Sequence, residues 1–248
     1  MILLTTGDSW TQGDADSQEL NWEAKPNLDW YNIIPNFGES TSPCDDRVTY
    51  KFYDSNIWPK VLGKKLGWET WNCGRSGASI SRIVDATFNS IEYLHSIGKK
   101  DIFVVIQLTS NIRYRNMNVK NNSINFEGCG KLDTSGAKLK RLSELNIKEV
   151  VFLQSFLKQN NIPYLMYNGF DEKLLEDWLE CDSFQYLDSS YIYNNIWSPM
   201  FKKHIEQWSG DEWTTNGEYF QACHPTDISH EEWANQLYKY IRENYEFF

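Results

Sequence analysis

"LTTGDSWTQG", residues 3–12, closes a short apolar run with a Gly-Asp-Ser turn. Residues 1–6 read as a buried strand, because strands covered on both faces of a parallel sheet are short continuous apolar runs rather than alternating ones. Glycine, acid and hydroxyl in succession are ordinary turn residues. The turn nevertheless falls where open parallel sheets bind their ligands, just past the carboxyl end of a strand. Ser9 is therefore a candidate nucleophile, provided other strand ends supply its partners.

Outward from that turn, apolar runs alternate with amphipathic stretches, the pattern of strands joined by crossover helices. "SNIWPKVLGKKL", 55–66, predicts a helix with Ser55 as a cap candidate, and a short strand follows near 68–72. A helix is expected over 79–97, a strongly apolar strand in "DIFVVIQL", 101–108, a helix over 136–160 and a strand in "IPYLMYN", 162–168. A weaker strand is placed near 184–188, and a last helix from Pro225 to Asn244. Five strands with intervening helices predict an α/β fold, a three-layer α/β/α sandwich around a five-stranded parallel sheet, since right-handed crossovers place helices on both faces. Residues 1–248 are read as one domain with two insertions, at about 14–54 and 114–135. The first holds nine acidic and three basic residues, seven aromatics and three prolines without a sustained period, and its aromatics require burial. The second is rich in asparagine and glycine.

Composition narrows the function. The 248 residues are 41% hydrophobic, enough for a substantial core. A net charge of -10 without a lysine- or arginine-rich run excludes a phosphate-binding surface for nucleic acid or anionic lipid, and favours a neutral ligand. Five cysteines without a CxxC pair read as reduced thiols, not as a disulfide framework or zinc site. The N-terminus lacks a basic region before its short apolar run, and no apolar stretch is long enough to span a bilayer, so the expected location is the cytoplasm.

The other strand ends supply the partners. "NCGRSGAS", 72–79, offers Gly74 and Gly77, which permit a tight backbone whose amides can face an anion. "QLTSNIRYR", 107–115, offers the side-chain amide of Asn111, and "CHPTDISHEEWA", 223–234, brings His224. In this order the four segments resemble the blocks of the SGNH (GDSL-type) hydrolase superfamily across nearly the whole chain. The resemblance implies a flavodoxin-like fold, Ser9 as nucleophile, Asn72 and Gly77 in the Asn-x-x-x-x-Gly block with the Gly77 amide in the oxyanion hole, and Asn111 as the third-block asparagine. It departs from the family twice. The third block, usually Gly-x-Asn-Asp, lacks its glycine and has Ile112 in place of the aspartate, and the fourth, usually Asp-x-x-His-Pro, has Gln221 where the acid is expected.

The chemistry follows from the residue types. A serine hydroxyl needs a base to take its proton, and histidine titrates in the right range. His224 is the base candidate, expected just outside the last helix with Pro225 at its first position. The amides of Ser9 and Gly77 and the Asn111 side chain are the oxyanion donors. With Gln221 in the acid's place, a Ser-His dyad or an incomplete triad is expected, with Gln221 or Asp227 as possible orienter of the histidine. Asp227 is equally explained by its place in a first helical turn, where carboxylates are favoured. His230, on a stripe with Trp233, Ala234, Leu237 and Ile241, reads as a packed core histidine, and the spacing of His224, Asp227 and His230 fits no zinc motif, so neither metal nor cofactor is expected. Cys223 reads as a buried thiol, and His95 and His204 as surface residues. The expected activity is hydrolysis of an O-acyl ester, O-acetyl included, on a small molecule or carbohydrate. The alternative is a catalytically weak or inactive carbohydrate- or protein-binding module, favoured by Gln221 and Ile112.

Overall fold

Strand β1 (Ile2–Thr6) is buried at every position, as is β3 (Ile102–Leu108), and the two pair in parallel with Ile2 opposite Ile102 and Thr6 opposite Ile106. The computed structural model describes residues 1–12, 57–74, 78–111, 116–120, 123–127, 136–169, 174–193, 220–221 and 224–246. After β1 comes a single helical turn, α1 (Ser9–Gln12), then α2 (Trp58–Leu66), β2 (Glu69–Asn72) and α3 (Ile80–Ser96). Beyond β3 lie an antiparallel hairpin of β4 (Asn116–Lys120) and β5 (Ser123–Glu127), then α4 (Gly136–Gln159), β6 (Tyr164–Asn168) and α5 (Leu174–Leu179). The chain continues through β7 (Ile192–Tyr193), β8 (Phe220–Gln221) and β9 (His224–Pro225) to α6 (Asp227–Asn244).

The main sheet is wholly parallel, in the order β2-β1-β3-β6-β7. Strand alternation sorts its side chains into two layers. Ile2 and Leu4 of β1 and Ile102, Val104, Ile106 and Leu108 of β3 pack under α3 and α4 through residues such as Ile83, Ile91, Val150 and Leu157. Leu3, Phe103, Val105 and Tyr167 face the other way, onto Trp58 and Leu62 of α2 and Trp233, Leu237 and Ile241 of α6. This is the three-layer sandwich read from the sequence. Because the chain passes from β1 to one side of the sheet and later returns to the other, the strand order reverses between β1 and β3, and the crevice of such a sheet opens at their carboxyl ends.

Some elements differ from expectation. Residues 184–188 are not a strand: Asp182–Tyr186 form a 3-10 turn. The Glu144 carboxylate explains it, accepting from the amides of Asp182 (2.5 Å) and Ser183 (3.4 Å) and from Ser183 Oγ (2.6 Å). The fifth strand is instead β7, two residues long and paired with β6. Pro225 does not start the last helix. It pairs with Phe220 in the β8–β9 ribbon, Thr226 takes the N-cap, and the helix begins at Asp227. Helix α2 starts at Trp58, with Ile57 as its N-cap and a proline in its first turn, while Ser55 lies outside the described residues. Ser79 caps α3, its side chain accepting from the Arg82 amide. The 14–54 segment and Cys223 also lie outside the described residues. Cys73 and Cys181 are free thiols, and His95 is exposed while His230 is buried. No helix among the described residues is long and apolar enough to cross a membrane.

Candidate active site

The Gly-Asp-Ser turn is fastened from three sides. Asp8, with no solvent exposure, caps α1: its Oδ1 accepts from the Trp10 amide (3.0 Å) and its carbonyl from the Thr11 amide (3.1 Å). From β3, Gln107 Nε2 donates to the same Oδ1 (2.8 Å), and just past that strand Thr109 Oγ1 donates to Oδ2 (2.9 Å). Such a set of donors offsets the cost of burying the carboxyl group. At the other end of α1, Thr11 Oγ1 donates to Gln107 Oε1, and the Thr11 carbonyl accepts from Asn72 Nδ2 (2.7 Å). Asn72 closes β2 by accepting, through Oδ1, from Thr5 Oγ1 (3.1 Å) and the Gly74 amide (2.9 Å). Asn72 thus ties two strand ends to the helical turn that begins at Ser9.

The glycine before the turn is explained by space. A Cβ on Gly7 would overlap Thr11 Oγ1 and lie 2.7 Å from Gln107 Cβ, a separation that real Cβ atoms do not adopt. No other residue fits between strand and helix.

Asn111, three residues beyond β3, is also without solvent exposure. Its Oδ1 accepts from Trp178 Nε1 of α5 (2.7 Å) and from Asn146 Nδ2 of α4 (3.2 Å), and its Nδ2 donates to Asp177 Oδ2 (3.3 Å). An indole nitrogen can only donate, so the atom facing Trp178 must be the amide oxygen, and the orientation of Asn111 is chemically fixed. One of the two Nδ2 hydrogens is used on Asp177, which leaves one for another acceptor.

Of the other candidates, Ser9 is the first residue of α1 and His224 lies in β9, directly opposite Gln221 in the β8–β9 register. The segments Ser9–Gln12 and His224–Pro225 are side by side, with Cα atoms within 8 Å, although more than two hundred residues of chain separate them. Asp227 opens α6 and is exposed. Gly77 and the side chains of Ser9, Gln221 and His224 lie outside the described residues. Sequence reasoning passed over Gln107, Thr109 and Thr11. Gln107 carried a signal, a lone polar side chain at the end of an apolar strand.

The Asp8 network makes a stability prediction. Asp8→Ala leaves at least three buried donors without their acceptor, at roughly 1–3 kcal/mol each before relaxation, so a net loss on the order of 4 kcal/mol is expected in urea unfolding. Asp8→Asn is expected to cost under about half of that: its oxygen can accept from Trp10 and Gln107 while its amide donates to Thr109, whose hydroxyl can reverse direction. Equal losses for the two variants would contradict this reading of the network.

No protein-family model and no curated protein matches the chain. Among solved structures it is similar to a carbohydrate esterase whose active site displays divergent catalytic and non-catalytic binding functions, at a TM-score of 0.51 and 12% identity, over 98% of this chain and 65% of that one. It is similar as well to an acetyl xylan esterase, Est2A from the rumen bacterium Butyrivibrio proteoclasticus, at a TM-score of 0.52 and 14% identity, over 98% of this chain and 63% of that one. A member of the lipolytic G-D-S-L family from Veillonella parvula aligns over 100% of this chain and 99% of its own, at a TM-score of 0.43 and 10% identity. The chain spans less than two thirds of the length of the two esterases. At these identities the likeness to the two esterases is one of fold, the three-layer sandwich around a parallel sheet described above.

Proposed function

We propose that the chain is a serine esterase that hydrolyses an O-acyl ester, with an O-acetyl group on a carbohydrate as the preferred substrate. The observation that carries this reading is the adjacency of the Ser9 and His224 segments beside the carboxyl ends of β1 and β3, where such a sheet opens its ligand crevice. His224 takes the proton of the Ser9 hydroxyl as it attacks the carbonyl carbon. The oxygen becomes an oxyanion, and the carbonyl re-forms as the alcohol leaves with the proton that His224 returns. Water, deprotonated by the same histidine, then releases the acid from Ser9. As the first residue of α1, Ser9 has an amide without an intrahelical acceptor. With the Gly77 amide and the remaining Asn111 Nδ2 hydrogen it supplies the oxyanion donors, each worth roughly 3 kcal/mol of barrier.

Three features favour a carbohydrate ester. The net charge of -10 suits a neutral substrate. The 14–54 segment, which follows the Ser9 turn in sequence, is rich in aromatic and acidic residues, and 114–135, which follows Asn111, is rich in asparagine, a composition suited to stacking on sugar faces and binding hydroxyls. The fold is shared with two carbohydrate-active esterases. A binding-only module has one observation in its favour, the enclosed Asn111 with an amide hydrogen already committed to Asp177.

A fluorophosphonate probe is expected to label the folded wild-type protein on Ser9 alone, read by peptide mass. Acetylated sugars are expected to turn over faster than long-chain acyl esters or thioesters. Absence of labelling together with glycan binding would establish the binding-only module. Faster turnover of long-chain esters would retain the esterase and remove the carbohydrate.

A further inference from the structure

Gln107 interrupts a strand that is otherwise apolar and buried throughout, "IFVVIQL", and is itself without solvent exposure. An apolar residue there would need no partners, whereas a buried amide is costly unless both of its ends are hydrogen-bonded. Both are. Nε2 faces the Asp8 carboxylate and Oε1 receives the Thr11 hydroxyl. A carboxylate only accepts, so the nitrogen must be the atom turned toward Asp8. The two residues so joined stand immediately before and two after Ser9.

The slot around this side chain is built from glycine on the strands at either side of β3. A Cβ on Gly7, after β1, would lie 2.7 Å from Gln107 Cβ, and one on Gly169, after β6, would lie 2.5 Å from Nε2 and 2.6 Å from Cγ. The Gly169 amide donates to the Leu108 carbonyl (3.1 Å), which keeps that wall against the strand. Neither glycine has a positive φ, so both answer a need for room. Backbone on both sides leaves the amide little freedom to adopt another rotamer.

We propose that Gln107 is a positioning residue for the nucleophile: by holding Asp8 and Thr11 in one network it fixes the backbone of Ser9, and so the direction of its hydroxyl and amide, without touching the substrate. This rests on the reading of Ser9 as nucleophile. Misplacement of a reacting group by about 1 Å can cost about a hundredfold in rate, so a residue that sets the turn acts on kcat while substrate binding is largely spared.

Two variants test this. Gln107→Met keeps an unbranched side chain that suits the slot and removes both hydrogen bonds; kcat is expected to fall about a hundredfold with KM within about twofold. Gln107→Glu retains both bonds when its carboxyl is protonated, donating to Asp8 and accepting from Thr11. Once ionised it sets two buried carboxylates against each other, which raises the pH at which their shared proton leaves above the ordinary carboxylate range. Measured against wild type at each pH, its turnover is expected near parity at pH 5 and at least about tenfold lower at pH 8.

Circular dichroism and melting of each variant accompany the kinetics, because a merely structural role would lower the melting temperature and leave kcat of the folded protein unchanged. That result for Gln107→Met overturns the proposal. Should Gln107→Met fail to fold, the Gln107→Glu profile decides alone, and a profile parallel to wild type overturns it. Ser9 labelling of wild type separates the two levels: labelling with normal kcat in both variants refutes the role of Gln107 only, whereas no labelling refutes the esterase and this role with it.

Discussion

Ser9→Ala is expected to lower turnover of an activated acetyl ester by about a millionfold, to the level set by solvent hydrolysis and residual oxyanion stabilisation. The size follows from the loss of the covalent route: without an oxygen to attack, water has to react directly in a site arranged for another nucleophile. The fold is expected to be indifferent to the change. The turn is held by Asp8, Thr11, Gln107, Asn72 and Thr109 through bonds that do not involve the Ser9 hydroxyl, and alanine is a strong helix former at the start of α1. The melting temperature should therefore stay within about 2 °C of wild type. Binding of a substrate glycan should also survive, since ground-state contacts do not depend on the nucleophile. Stopped turnover with retained fold and glycan affinity would identify Ser9 as the reacting group. Undiminished turnover would move the nucleophile elsewhere in the chain.

The parts of this architecture legible in the sequence are those dictated by short-range patterns. β1, β3 and β6 are buried on both faces, so each is largely apolar, with its polar residues confined to the carboxyl end, and the long helices carry a period that survives without tertiary information. The fifth strand was not legible. β7 has two residues, too few for any period, and the apolar residues near 184–188 belong to a turn fixed by Glu144 from a helix almost forty residues earlier. The start of α6 was misread by two residues for a similar reason: a proline before a helix ordinarily takes its first turn, but here Pro225 is drawn into pairing with Phe220.

Within the site, the segments at the strand ends could be located because α/β topology requires functional groups there. The supporting cast could not. Trp178 and Asn146 orient Asn111 from α5 and α4, and nothing in their local sequence distinguishes them from ordinary helix residues. Gln107 lies between these extremes. Its polarity in an apolar strand was visible, but its meaning depended on Asp8 and Thr11 reaching it from about a hundred residues away in the chain.

His224→Ala is expected to reduce turnover roughly ten-thousandfold, the upper range for loss of a general base, while Gln221→Ala costs only about tenfold. The two differ in kind. Deleting the imidazole leaves the Ser9 proton without an acceptor. Gln221 is the register partner of His224 in the β8–β9 ribbon, and directly opposed residues in an antiparallel pair are near neighbours. A neutral amide there can orient the ring through one hydrogen bond of about 1.4 kcal/mol, a tenfold change in rate, but it cannot stabilise the imidazolium as a carboxylate would. Asp227 offers that charge three residues further on, yet it is exposed at the first position of α6, where the helix amides alone account for an acid. Asp227→Asn is accordingly expected to change turnover by less than about twofold and to weaken the helix by a few tenths of a kcal/mol, roughly. Steady-state kinetics of the three variants on one acetyl ester, each checked for fold by circular dichroism, separates the cases. If Asp227→Asn proves as damaging as His224→Ala in folded protein, the acid has moved into the last helix and the dyad is a triad. Comparable losses for Gln221→Ala and His224→Ala would instead make the amide an obligate partner, because a side chain that only orients the ring cannot cost as much as the base itself.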